Sequence, residues 1–225
     1  MIAIGVHHWT DGLVVDLNPI IARAREVGAQ VWVDACQTLG GAPFPVSASE
    51  VDYIFAPTYK WLLGPYTFGF LYVHPKHQNG SPLEEYWASR LGSDDFSKLT
   101  QYAPNYRPGA IRFDMSERSQ FINAPMAAAA LEQILEWNPI HIAESLRLKT
   151  NFIADAALDR GYKVAPEKFR APHFLGLRRP TGFDADFKAR LEKEQVFAGY
   201  RGDSMRIAPH LFNDEEDITR LIQLL

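Results

Sequence analysis

Residues 31–65 read VWVDACQTLGGAPFPVSASEVDYIFAPTYKWLLGP, and this stretch decides the fold. Val31-Trp32-Val33 is a short β-branched and aromatic run that stops at Asp34. Val51–Phe55 is a second such run, followed by a turn and then Lys60. Strands of this kind, separated by loops and helices, indicate an α/β sheet with some parallel pairing. Ligands of open α/β sheets bind at the carboxyl ends of the strands. If the two runs are neighbours, Asp34 and Lys60 project into one crevice. Taken alone, the two side chains fit a weak surface ion pair equally well.

Working outward, Met1–His7 reads as a buried strand, and Asn18-Pro19 opens a helix that ends at Gly28. Phe68–Val73 reads as a further strand after the Gly64-Pro65 turn. Residues 75–114 lack periodicity, as functional irregular segments often do. The spacing predicts helices over Ala124–Trp137, Pro139–Gly161 and Phe183–Glu194, and a last one opened by Asn213-Asp214-Glu215-Glu216. Strands are expected at Ala171–Leu177 and within Gly199–Ala208.

The resemblance is carried by separated motifs. Asp34-Ala35-Cys36-Gln37 is followed, 26 residues after Asp34, by Tyr59-Lys60-Trp61-Leu62 and then Gly64-Pro65. Ser204-Met205-Arg206-Ile207-Ala208-Pro209 and Phe212–Ile218 lie near the C-terminus. Together they resemble class V aminotransferases, which share fold type I of the pyridoxal-phosphate enzymes with kynureninases and cysteine desulfurases. The resemblance implies an α/β fold: the C-terminal part of a PLP-transferase large domain (residues 1–115) and a small α+β domain (residues 116–225).

It also implies pyridoxal 5'-phosphate as cofactor, held by Lys60 as a Schiff base, and an amino-acid or amine substrate. Lys60 would then act as the base at the substrate Cα. Asp34 would keep the cofactor ring nitrogen protonated, and Gln37 would donate to the ring's phenolic oxygen. Tyr59, and more weakly Thr58, would reach the cofactor phosphate. Arg206 would clamp the substrate's carboxylate. Arg112-Phe113-Asp114 matches a family segment, but Ser116-Glu117 stands where many members carry a Gly-Thr phosphate contact. A homodimer is implied by the resemblance alone.

Family members are about twice as long as this chain, and the phosphate cradle of small residues that they carry at a helix N-terminus is not found here. The expectation is therefore an enzyme incomplete at its N-terminus. The alternative is a non-catalytic remnant that folds, or binds a partner, without turnover. Among reactions, transamination, kynureninase-type cleavage, elimination and epimerisation share their early steps. Desulfuration is disfavoured, because Glu194–Met205 lacks the required cysteine.

The rest of the composition bounds the partners. The 225 residues are 47% hydrophobic and 22% charged, with net charge -4, which disfavours nucleic acid and anionic membrane. The apolar runs are too short to span a bilayer, and the N-terminus does not read as a signal peptide. A single cysteine, Cys36, excludes an internal disulfide framework and fits the cytoplasm. No metal site is expected, since His7 and His8 alternate faces of a strand. Asn79-Gly80-Ser81 and Arg201-Gly202-Asp203 match short motifs by letter only.

Overall fold

The computed structural model describes residues 1–98, 100–101 and 103–225. Four strands form the first sheet in the order β1 (Ile2–Gly5), β2 (Val31–Asp34), β3 (Tyr53–Pro57) and β4 (Gly69–Val73). The first three run parallel, and β4 returns antiparallel along β3. The crossover from β1 to β2 carries α1 (Leu17–Glu26). Asp16 caps α1 by accepting from Asn18 N–H at 3.0 Å. Arg23 and Arg25 sit in its last turn, against the negative end of the dipole.

Alternation builds the core. Val31 and Val33 are buried while Trp32 and Asp34 are half-buried, so β2 sends its valines against Leu17, Ile21 and Ala24 of α1. Each fully buried aliphatic side chain of this kind contributes about 1.5–3 kcal/mol.

A second sheet of three antiparallel strands has the order β5 (Leu175–Leu177), β7 (Ser204–Ile207) and β6 (Gly199–Arg201). Helices α4 (Ala185–Lys193) and α5 (Glu215–Leu224) cover it. Between the strands of the two sheets in sequence come α2 (Asn123–Trp137) and the 21-residue α3 (Pro139–Asp159). Helix α3 feeds two cores. Ile142 and Leu146 pack with Trp61 and Phe174, whereas Ile153, Ala154 and Ala157 pack with Leu175, Leu177 and Met205.

Two expectations change. The strand expected over Ala171–Leu177 begins only at Leu175, because the backbone before it is taken elsewhere. Ala171 N–H donates to Gly12 O at 2.7 Å, within the loop after β1. The single strand expected within Gly199–Ala208 is a hairpin. Arg201 pairs with Ser204 across a two-residue Gly202-Asp203 turn, and Gly202 has φ 58°. Glycine is preferred there because tight hairpin turns need a positive φ. The Arg-Gly-Asp tripeptide is thus a turn. None of the helices among the described residues is long and apolar enough to cross a membrane.

Candidate active site

Parallel pairing of β2 with β3 brings both carboxyl ends to one edge of the sheet. Asp34 closes β2, and its Oδ1 accepts from Cys36 N–H at 2.8 Å. The chain then turns, and Gly40 passes so near Trp61 that a Cβ would lie 2.1 Å from its carbonyl oxygen. This close approach, at φ 93°, fixes the Asp34 turn against the segment bearing Lys60. Thr58 closes that segment on itself: its hydroxyl donates to Pro65 O at 2.6 Å, and Gly64 N–H donates to Thr58 O.

A cavity of about 750 Å³ opens above these turns. Asp34, Cys36, Gln37, Lys60 and Trp61 line it from the first sheet, and Arg201, Arg206 and His210 from the C-terminal part. Among the described residues, Lys60 and Asp34 share this cavity without forming an ion pair.

Gln37 is oriented from several sides. Its Oε1 accepts from Trp61 Nε1 at 3.1 Å and from Arg206 Nη2 at 3.2 Å. Two donors on the oxygen define the amide's orientation and leave its N–H₂ as a donor toward the cavity. Its main-chain carbonyl accepts from His7 Nδ1 at 3.1 Å and from His173 Nε2 at 2.6 Å. Burial lowers the His7 pKa to about 4, partly opposed by the Gln37 bond, so the ring is neutral near pH 7. Burial also drives His173 well below its ordinary value, and its Nδ1 is buried without a hydrogen-bond partner.

Arg206 donates from Nη1 to Trp9 O at 3.1 Å and lies 4.7 Å over the Phe174 ring. Burial, then the neighbouring Arg201, lowers its pKa. A guanidinium has five N–H donors. The two bonds to Trp9 and Gln37 leave others toward the cavity, and no carboxylate pairs with it among the described residues. Burial, and then Asp34, raise the Cys36 thiol to about 12, so it is protonated near pH 7.

Asp34, Gln37, Lys60 and Arg206 are therefore brought together. Thr58 and Tyr59 are not. The Thr58 proton is committed to the turn, and its side chain is buried away from the cavity. Tyr59 is 39% exposed and stacks on Tyr66 at 4.5 Å, outside the cavity lining. No group of three or more potential metal ligands occurs among the described residues. Sequence reasoning missed His7, His173 and Trp9 as parts of the site. They converge through tertiary packing, and no local spacing announces them.

The comparisons with known proteins agree with this architecture. Residues 1–91 match the family model described as aminotransferase class-V. An uncharacterized aminotransferase, YcbU of Bacillus subtilis, is 27% identical over 96% of this chain and 56% of its own length. A kynureninase of Monosiga brevicollis is 27% identical over 98% of this chain and 50% of its own. The chain thus spans about half the length of the curated relatives it matches.

Among solved structures, the cysteine desulfurase of Thermococcus onnurineus superposes with a TM-score of 0.80 at 17% identity, over 99% of this chain and 58% of that one. A variant of C-DES with glycine covalently linked to its PLP cofactor gives 0.83 at 21%, over 99% and 59%. These two likenesses show a shared fold. The resemblance read from the sequence is borne out: the chain is similar to class V aminotransferases, and its fold is that of PLP-dependent enzymes.

Proposed function

We propose that this chain is part of a pyridoxal-phosphate-dependent enzyme that acts on an amino acid, with Lys60 as the residue that binds the cofactor covalently. The class V match and the PLP-bearing neighbour indicate the cofactor. One observation carries the reading: a lysine and a guanidinium that, among the described residues, form no ion pair line the same cavity as a carboxylate and an oriented amide.

The residues present fit the ring of the group and its covalent attachment. Pyridoxal phosphate, when bound, supplies an electron sink for charge developing at the substrate Cα. Asp34 has one oxygen fixed by Cys36 N–H and the other available to hold a proton on a ring nitrogen. Gln37 offers its amide N–H₂ to a phenolic oxygen. Arg206 receives the substrate carboxylate with its remaining N–H groups, and burial strengthens such a pair relative to water. Lys60 takes and returns the proton at Cα.

The protonated Cys36 thiol and the cysteine-free β6–β7 hairpin argue against desulfuration. Transamination, carbon side-chain cleavage, elimination and epimerisation remain, and they share their early steps. The protein acts in the cytoplasm as a homodimer; the exposed Phe121 and Ile122 (87% and 75%) offer an apolar surface for association.

A second reading, a remnant without turnover, is favoured by one feature. Among the described residues, the cavity lining contains no run of small residues whose amides could cradle a phosphate. Adding pyridoxal phosphate and recording the visible spectrum separates the two. The first reading expects an absorbance band that Lys60→Ala abolishes. Absence of the band, or its survival in that variant, would sink the first reading for this chain.

A further inference from the structure

The cavity carries more positive charge than the roles above use. Lys60, Arg201 and Arg206 line it, against a single carboxylate, Asp34. Lys60 and Asp34 are assigned to the cofactor and Arg206 to the substrate's α-carboxylate, so of the two arginines only Arg201 is without a role. The two differ in depth. Arg206 is half-buried and tied to Trp9 O and Gln37 Oε1, while Arg201 is exposed at the rim, 5.9 Å over the Trp9 ring.

The nearby acids are already committed. Asp203, in the same hairpin turn, accepts from Arg178 Nε at 3.0 Å, and Asp11 accepts from Arg178 Nη2 at 2.8 Å. Arg201 itself donates only to its neighbour's carbonyl, Tyr200 O, at 2.8 Å among the described residues. The hairpin thus holds a second guanidinium over the cavity with no protein carboxylate to neutralise it. The two arginines feel each other, since Arg201 contributes to lowering the Arg206 pKa after burial. An anion at each depth would relieve that repulsion.

We propose that the substrate is an amino acid bearing a second anionic group, with Arg206 taking the α-carboxylate and Arg201 the side-chain anion. This rests on the enzyme reading above and narrows it to a substrate class. Carboxylate, sulfonate and phosphonate side chains share the chemistry. Trp9 and Phe212 supply apolar walls for the methylenes between the two anions.

The test is calorimetric titration of the chain, without cofactor, with glutarate and with butyrate. Glutarate should bind about tenfold or more tightly, the scale of one added charge-assisted contact. Arg201→Gln should remove that preference by weakening glutarate far more than butyrate, and Arg201→Lys should keep part of it. Equal affinities, no binding of either ligand, or a preference that survives Arg201→Gln would overturn the proposal.

In the PLP-loaded chain, L-glutamate, L-cysteate and 2-amino-4-phosphonobutyrate should perturb the visible band at lower concentration than L-norvaline. Their order identifies the favoured anion, and an advantage for norvaline would count against the proposal. Failure of the band to form sinks the enzyme reading, whereas the titrations without cofactor report separately whether the two arginines take a dianion.

Discussion

Two aspartates stand at opposite ends of neighbouring strands, and they have opposite fates. Asp52 lies just before β3. It accepts from Val31 N–H at 2.7 Å, Lys76 Nζ at 2.7 Å and His77 Nε2 at 2.5 Å. Burial alone would raise its pKa, but Lys76, the Val31 amide and His77 outweigh it and hold it at about 2. Asp34, at the far end of β2, has one backbone donor and shares a cavity with a lysine it does not pair with. The same residue types make a closed structural knot at one edge of the sheet and an open constellation at the other. A carboxylate and an amine left apart in a cavity are available for ligands; saturated ones are not.

The largest effect that could break this contrast is at Lys60. Lys60→Ala should abolish the absorbance band of the covalently bound cofactor and leave the unfolding free energy within about 0.5 kcal/mol of the parent. A large loss of stability would mean that the open end is structural too.

Next is the histidine pair beneath Gln37. The folded pKa of His7 is depressed, so its neutral form is favoured in the native state. Stability is fully present above 6.5, the unfolded value, and is lost as pH falls toward about 4. The loss should approach about 3 kcal/mol, and His173 adds to the same slope. Urea midpoints measured across that range check this, and His7→Phe should flatten the curve. A flat profile in the parent would show that the pair is not buried as described.

Asp52 sharpens the comparison from the other side. Its depressed pKa stabilises the fold above pH 3.8, and that contribution disappears as pH falls through about 2. Asp52→Asn should cost about 2 kcal/mol at pH 7 and leave cofactor absorbance unchanged. The smallest effect is expected at Cys36. Cys36→Ser should change stability by less than about 1 kcal/mol, and a thiol reagent should modify the parent slowly at pH 8.

What was legible in the sequence follows from distance along the chain. Asp34 and Lys60 could be read because one ends a strand and the other follows the next strand within one 35-residue stretch, and parallel pairing forces such ends together. Arg206 could be named only from resemblance, since its bonds to Trp9 and Gln37 join residues 197 and 169 positions apart. Thr58 looked like a free hydroxyl, but the turn before Pro65 consumes it. The run before Leu175 looked like strand because it is apolar. Periodicity cannot reveal that the Ala171 amide is satisfied by Gly12 O in the loop after β1. Asp52 drew no notice, because nothing local marks a residue whose partners are Val31, Lys76 and His77.

Helix α3 has a consequence of another kind. A rod of 21 residues, about 30 Å long, plants one end among Trp61 and Phe174 and the other among Leu175 and Met205. Neither core can come apart without stripping one half of that rod. The two cores should therefore absorb heat in a single calorimetric event, and Leu146→Gly should lower the melting of both together.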